Sequence, residues 1–210
     1  MSNWMIDQDN LNHLNVSGHD VPEHLFKYIK DISNNAKEEG IGFQHRLAGH
    51  LKEEYEIKDR NEEFEEYLAG CSTSGNVYQS WKDMVVLNEN APIMIQNLWV
   101  NFQKKYDFNP PHTHSGFVSF VIFVEIPYDL KEEEQVFENA NNKQTSKFTF
   151  HSPDHRFPGG IDIISLNVDK SYEGKMIMFK ASQIHSVYPF FTSDDYRITV
   201  AGNLVFKVTS

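Results

Sequence analysis

Residues 99–126 read WVNFQKKYDFNPPHTHSGFVSFVIFVEI and contain the features that decide the fold. Apolar and polar residues alternate up to Phe102, as they do in a β-strand, and residues 107–111 are rich in turn formers. Residues 117–126 are apolar and β-branched or aromatic almost throughout, and Pro127 closes them. This composition predicts a strand that is buried on both faces.

Two histidines, His112 and His114, lie one residue apart between these segments. Side chains of an extended chain alternate with period two, so both imidazoles should point to one side. Two imidazoles on one face can share a metal ion, and the buried strand that follows would anchor them. The alternative is that the pair only caps a loop; a third histidine downstream favours the metal site.

Short segments of β character separated by turns fill the second part of the chain. No fixed-period repeat is present, and helical patterns do not alternate with the strands. We therefore predict a mainly β protein with N-terminal helices and a double-stranded β-helix (jelly roll) core. The predicted strands are residues 78–86, 93–102, 117–126, 147–151, 161–168, 175–180, 185–190 and 197–208.

The first part of the chain is polar and acidic. Residues 1–20 are predicted to be irregular, and apolar residues at helical spacing predict a helix from Glu23 to Gly40. Residues 44–68 are predicted as a second helix, in which the charge run EEYEIKDRNEEFEE is exposed rather than a cation site, and His45 and His50 lie on a solvated surface. Residues 1–76 would form a helical segment packed on a core of residues 77–210, together one compact domain. The polar loop at 128–143 is predicted to be a surface excursion.

Composition limits the class of protein. The formal net charge of −11 argues against a nucleic-acid or anionic-membrane partner, because such surfaces attract basic proteins. Cys71 is the single cysteine, which excludes an intrachain disulfide and a thiolate cluster. The N-terminus lacks the pattern of a secretion signal, and no apolar run approaches the roughly 18 residues that a membrane span needs. We expect a cytoplasmic protein.

The third histidine is His185, in the segment GKMIMFKASQIHSVYPFF at residues 174–191. In a jelly roll, neighbouring turns can bring an early histidine pair and a late histidine to one metal ion. Three ligands on one face leave three octahedral positions open, which is the arrangement of non-haem iron sites that use oxygen. The alternative for each histidine is an imidazole satisfied within the core or a loop.

The segments WVNFQKKYDFNPPHTHSGFVSFVIFVEIP, MIMFKASQIHSVYPF and YRITVAGNLVF resemble the Fe(II)/2-oxoglutarate-dependent dioxygenases, especially their prolyl-hydroxylase-like branch. More narrowly, they resemble a group of such oxygenases in tailed bacteriophages of marine cyanobacteria, which would place the protein in the host cytoplasm. The resemblance covers about residues 78–206. Its most specific part is His185 followed twelve residues later by Arg197 and then Thr199, similar to the family's histidine followed by Arg-x-Ser/Thr.

The resemblance implies an enzyme that uses Fe(II), 2-oxoglutarate and O2, and that hydroxylates a substrate the sequence does not identify while 2-oxoglutarate becomes succinate. It implies His112, His114 and His185 as metal ligands and no catalytic residue beyond them. Arg197 and Thr199 would hold the distal carboxylate of 2-oxoglutarate, since a guanidinium fork matches a carboxylate. Asn101, on the preceding strand, is a further candidate for orienting 2-oxoglutarate.

One departure from the family's pattern leaves alternatives open. The family has a carboxylate where His114 stands, so the ligands would be three neutral imidazoles. Alternatively, the motif begins at His114 and Gly116 takes the carboxylate position, as in related halogenases that admit chloride, or a remote carboxylate such as Asp107 or Glu125 completes the site.

Two other functions also remain. A cupin-like metal protein with three histidines would need no 2-oxoglutarate, although the glutamate that cupins carry is replaced by Val118 and Ser119. A non-catalytic jelly roll, such as a virion-associated structural protein, would use the histidines for structural zinc or for nothing. His151 and His155 are not predicted as a metal pair, because nearby prolines and glycines exclude the helix which that spacing requires.

Overall fold

A computed structural model describes residues 14–74, 92–154 and 158–207 of the 210-residue chain. The strands are β1 (Ser17–Asp20), β2 (Glu54–Glu56), β3 (Ile93–Gln103), β4 (Asn109–His112), β5 (Val118–Glu125), β6 (Phe148–Pro153), β7 (Ile161–Leu166), β8 (Lys175–Lys180), β9 (His185–Val187) and β10 (Arg197–Phe206). The helices are α1 (Glu23–Glu39), α2 (Glu62–Thr73) and α3 (Leu130–Val136), with 3₁₀ turns at Gln44–Arg46 and Lys170–Tyr172. The predicted strand at 78–86, residues 1–13, His155 and the predicted domain boundary after residue 76 lie outside the described residues.

The strands form two antiparallel sheets. The larger has the order β1-β8-β5-β10-β3-β2 and the smaller the order β4-β9-β6-β7. The central strands of the larger sheet carry apolar residues on both faces: Phe120 and Ile122 contribute to one hydrophobic cluster, and Phe123 to another. The fold is a jelly-roll core with N-terminal helices, as predicted, and the central strand β5 is buried on both faces.

The N-terminal helices cover one face of the larger sheet. Leu25, Ile29 and Ile32 of α1 and Phe64 and Leu68 of α2 join the same buried cluster as that face of β5, β8 and β10. The first 74 residues also supply two strands, since β1 pairs with β8 and β2 pairs with β3. The other face packs against the smaller sheet, and the cavity described below lies on that side.

The helix predicted over residues 44–68 is wrong. The structure has a 3₁₀ turn, the short strand β2, and then α2, which begins only at Glu62. Pairing across the chain accounts for this: the amide of His50 donates to the Phe108 carbonyl at 2.8 Å, and the amide of Phe102 donates to the Glu53 carbonyl at 2.9 Å. Contacts with β3 and the turn after it therefore override the helical preference of an acidic segment.

Two smaller predictions also need correction. Pro110 and Pro111, expected in a turn, lie within β4. Proline is tolerated there because β4 is the edge strand of the smaller sheet. The polar segment at 128–143 contains α3, whose buried Glu133 accepts hydrogen bonds from the amides of Phe191 and Thr192.

No helix in the described part of the chain is long and apolar enough to cross a membrane.

We predict that Gly202→Ala in β10 lowers the free energy of unfolding by about 1–3 kcal/mol, because a Cβ there would lie 2.6 Å from Phe120 and 2.7 Å from the Asn97 carbonyl. Gly70→Ala in α2 is the matched control: a Cβ meets nothing within 4 Å, and alanine favours a helix by about 0.5–1 kcal/mol. Urea denaturation measures both, and equal stability of Gly202→Ala and the natural protein would contradict the packing described here.

Candidate metal centre and its cavity

Three imidazoles lie close together at one edge of the smaller sheet, where β4 ends and β9 begins. His112 of β4 pairs directly with His185 of β9, and residues that pair across strands hold their side chains side by side. The amide of His114, two residues further on, donates to the Ala181 carbonyl at 2.8 Å, which fixes the chain after β4. One nitrogen of each of the three rings lies within 4.8 Å of the others.

Two of the rings are oriented by backbone carbonyls. Nδ1 of His112 donates to the Pro110 carbonyl at 2.7 Å, and Nδ1 of His185 donates to the Gln183 carbonyl at 3.0 Å. A carbonyl oxygen only accepts, so each Nδ1 carries the hydrogen and each Nε2 keeps a lone pair. This arrangement is typical of metal-binding histidines, whose second nitrogen is held by an outer hydrogen bond.

The environment keeps the imidazoles neutral. Burial lowers the pKa of His112, and burial together with the neighbouring His112 lowers the pKa of His114 to about 3. Burial and the two other rings lower the pKa of His185 well below its ordinary value. Phe148 stacks on His185 with ring centres 5.4 Å apart. The three rings need lose no proton to bind a metal at neutral pH, so they fit a divalent transition-metal ion such as Fe(II).

Within the described ranges, no carboxylate joins the three-histidine group. Glu125 lies at the exposed end of β5, and the Asp107 carboxylate accepts from the Lys104 amide at 3.1 Å. Gly116 has a separate structural reason: its φ is +95°, and a Cβ would lie 2.6 Å from the Leu204 carbonyl. The donor set that the described residues bring together is three imidazoles. Backbone geometry accounts for the glycine at 116, and the chloride alternative stays a prediction.

Arg197 begins β10 and lines the same cavity as the histidines. It is 2% exposed, and its guanidinium donates only to neutral oxygens. The acceptors are Oε1 of Gln103, the Tyr128 hydroxyl and the carbonyls of Ser146 and Tyr188. The ion pairs formed by the described residues do not include Arg197. A buried cation without a carboxylate partner makes this end of the cavity attractive to an anion.

Thr199 and Asn101 lie opposite each other on β10 and β3 and also line the cavity. Nδ2 of Asn101 donates to Oγ1 of Thr199 at 3.0 Å. The threonine hydroxyl accepts from Asn101, so its own hydrogen is directed elsewhere and is suited to donate to an anion beside Arg197. The side chains predicted for the site thus all face one cavity.

Glu54 of β2 is the cavity residue that the sequence prediction missed. It was assigned to an exposed helix, yet it is 1% exposed and lines the cavity. Neither carboxylate oxygen has a hydrogen-bond partner among the described residues. Burial, helped by the nearby Asp107 carboxylate, raises the pKa of Glu54 to about 7. The available signal was the alternation of Glu54 and Glu56 with Tyr55 and Ile57, which is the period of a strand.

The jelly roll and the histidine cluster in its cavity define the class of protein: a β protein with a candidate metal site in its cavity. The chain belongs to the family described as "Putative 2OG-Fe(II) oxygenase", whose family model matches residues 97–203. That range includes most of β3, the three histidines, Arg197 and Thr199. The family implies Fe(II) and 2-oxoglutarate, with O2 as the second cosubstrate, and the three histidines form a possible metal site.

Solved structures share the fold. A prolyl-4-hydroxylase from Pseudomonas putida is similar with a TM-score of 0.56 and 13% identity over 95% of this chain and 97% of that one. AviO1 from Streptomyces viridochromogenes gives a TM-score of 0.53 and 10% identity over 97% of both chains. An oxidoreductase of the 2OG-Fe(II) oxygenase family from Burkholderia pseudomallei gives 0.50 and 13% identity over 93% of this chain and 86% of its own.

A search of curated protein sequences found no match to the chain. The family match confirms the predicted superfamily, and the fold is similar to that of a prolyl-4-hydroxylase. The narrower resemblance to phage proteins stays a prediction. So do the individual roles of His112, His114, His185, Arg197, Thr199 and Asn101.

We predict that replacing His112, His114 or His185 by alanine lowers the affinity for Co(II) at least about tenfold, because each substitution removes one of three nitrogen ligands. Isothermal titration calorimetry measures the affinity, and the visible absorption of Co(II) reports the ligand set. His24→Ala is the control, because His24 pairs with Glu63 on the surface. Unchanged Co(II) binding in any of the three variants would remove that residue from the site.

We predict that Glu54→Gln stabilises the protein at pH 8 by on the order of 2 kcal/mol and has little effect near pH 4.5. The pKa is about 7 in the folded state, so the natural protein loses stability as the pH rises from about 4.5 through 7 and the buried carboxyl ionises. Glutamine keeps the shape without the charge. Urea denaturation at both pH values measures the difference, with Glu56→Gln of the same strand as control. A pH-independent effect would show that Glu54 ionises freely.

Proposed function

We propose that the protein is an Fe(II)- and 2-oxoglutarate-dependent oxygenase that hydroxylates a C–H bond of its substrate. The reaction balances as R–H with O2 and 2-oxoglutarate giving R–OH, succinate and CO2, one oxygen atom entering the alcohol and the other the succinate carboxylate. Bound Fe(II) would supply the oxidising chemistry. One observation carries the proposal. Three neutral imidazoles line the same cavity as a buried guanidinium that has no carboxylate partner among the described residues.

The charges of the site favour 2-oxoglutarate as the cosubstrate. Three neutral imidazoles leave both positive charges of a divalent metal uncompensated, whereas the usual site with one carboxylate leaves one. A dianion is therefore the appropriate partner for this donor set. Arg197, the first residue of β10, supplies a second positive charge at one end of the cavity.

Arg197 and Thr199 are proposed to bind the distal carboxylate of 2-oxoglutarate. The guanidinium donors are held by neutral acceptors, above all Oε1 of Gln103 at 2.6 Å and 3.1 Å. A carboxylate accepts more strongly than an amide oxygen, so it would take donors from Gln103 when it enters. The Thr199 hydroxyl would add a third hydrogen bond, and Asn101 would keep that hydroxyl in position.

Aromatic rings pack against two of the three histidines. Trp99 lies against His114 with ring centres 5.6 Å apart, and Phe179 lies against His185 at 4.8 Å. Aromatic rings on two sides fix the imidazoles and keep the surroundings apolar. Proton transfer by a side chain is not required in this reaction, so the three histidines serve as ligands and not as acids or bases.

The three-histidine donor set equally suits a cupin-like metal protein that needs no 2-oxoglutarate. The two functions differ in whether Arg197 has a ligand. Binding of 2-oxoglutarate to the protein loaded with Zn(II), which cannot turn over, separates them without any assay of activity.

We predict that 2-oxoglutarate raises the Tm of the Zn(II)-loaded protein, and that the Fe(II)-loaded protein releases succinate. Arg197→Lys should weaken 2-oxoglutarate binding at least about tenfold, because the bidentate fork is lost, and Thr199→Val by about fivefold. Thr149→Val is the control: it removes a buried hydroxyl that bonds Ser186 instead of lining the cavity. Metal binding without any 2-oxoglutarate binding or succinate release would favour the cupin-like function.

A further inference from the structure

The cavity has a second polar wall, opposite in character to the Arg197 end. It consists of acceptor atoms that have no donor among the described residues: both carboxylate oxygens of Glu54, Oδ1 of Asn101 and Oδ1 of Asn109. Glu54 and Asn101 pair directly across β2 and β3, which places their side chains next to each other. All three residues line the same cavity as the histidines.

Gly49 brings Asn109 and Glu54 to one point. A Cβ on Gly49 would lie 2.4 Å from Oδ1 of Asn109 and 3.1 Å from Oε1 of Glu54. Both oxygens therefore converge on the side of Gly49 that carries only a hydrogen. A Cβ at this position would overlap Oδ1 of Asn109, so only glycine leaves room for that oxygen beside Oε1 of Glu54.

Such a wall destabilises the folded protein unless a hydrogen-bond donor binds to it. A buried carboxylate without a hydrogen bond loses the stabilisation that water would give it, and so does each unsatisfied amide oxygen. The raised pKa of Glu54 expresses the same cost. Buried groups of this kind occur where a ligand supplies the missing partner.

The sign of the charge excludes 2-oxoglutarate as that ligand. Its two carboxylates would be repelled by Glu54 and would offer no donor to the amide oxygens. The cosubstrate belongs at the Arg197 end, where the protein presents donors. The acceptor wall therefore faces the other reactant, which must bring hydrogen-bond donors and is favoured by a positive charge.

The neighbouring side chains define the rest of that reactant. Leu47, Ala48 and Leu51 line the cavity beside Glu54, so apolar surface adjoins the oxygen atoms. A hard divalent cation is a poor match, because it prefers several carboxylates and water, and this wall offers one carboxylate. A nitrogen cation on an aliphatic chain satisfies both the oxygen atoms and the apolar surface.

We propose that Glu54, with the amide oxygens of Asn101 and Asn109, binds a protonated nitrogen of the substrate, an aliphatic ammonium or guanidinium group. This inference rests on the proposed function, because it assigns the substrate end of that same cavity. The carbon chain of the substrate extends from Glu54 toward the histidines, and one of its C–H bonds is the site of hydroxylation. The same group is present in free amines and amino acids and in lysine or arginine side chains of a peptide.

The test is a binding measurement on the metal-free protein by ligand-observed NMR and calorimetry, so it does not depend on turnover. The cationic probes are n-butylammonium, n-butylguanidinium and the peptide acetyl-Gly-Lys-Gly-amide. Each has a counterpart without a charged nitrogen: n-butanol, n-butylurea and the same peptide with acetyl-lysine. We expect binding of a cationic probe and at least about tenfold weaker binding of its neutral counterpart. Preference for the free amines or for the peptide identifies the source of the group.

Two variants assign the binding to the wall. Glu54→Gln keeps the shape and removes the charge, and it should lower the affinity for the cationic probe at least about tenfold. Gly49→Ala displaces Oδ1 of Asn109 without changing any charge and should also weaken binding, whereas Glu56→Gln and Gly70→Ala serve as matched controls with full affinity. Circular dichroism and urea denaturation establish that each variant is folded.

The proposal is overturned if no cationic probe binds the natural protein, if neutral counterparts bind equally well, or if Glu54→Gln retains full affinity. Any of these results would leave ordered water as the partner of the wall. Failure of the proposed function is a separate result, because it consists of the absence of 2-oxoglutarate binding to the Zn(II)-loaded protein. Cation binding that persists in that case would assign the wall to a different reaction.

Discussion

The site depends on one cross-strand pair, His112 of β4 opposite His185 of β9. Direct pairing fixes the separation of the two rings, which are 4.2 Å apart at their centres. The chain turns back after β4, and the hydrogen bond from the His114 amide to the Ala181 carbonyl holds His114 beside the other two rings. Two short strands thus bring together histidines that lie more than seventy positions apart in the chain.

The cavity separates opposite charges instead of pairing them. Arg197 lies at one end with neutral acceptors, and Glu54 lies in another wall with no donor, although an ion pair between them would have lowered the cost of burying both. Keeping them apart makes the folded protein less stable than it could be. On the proposed function, each charge would be available to a ligand of the opposite sign.

The sequence was sufficient for the parts of the fold that local pattern controls. The helix near residues 23–39 and the buried strand near 118–125 follow from spacing and composition, and the structure has both. The histidine pair and Arg197 were found because motif spacing survives in a single sequence. Glu54 was missed because its environment is made by β3, forty residues away, and an acidic run has the composition of an exposed helix.

The two prolines of β4 limit how another polypeptide can pair with the edge of the smaller sheet. Residues 110 and 111 carry no amide hydrogen, so the free rim of β4 cannot template a continuous ladder with another polypeptide. Strand addition is therefore disfavoured at the rim beside the histidines. The opposite rim of the same sheet is β7, which exposes Ile161 and Ile163 and contains no proline.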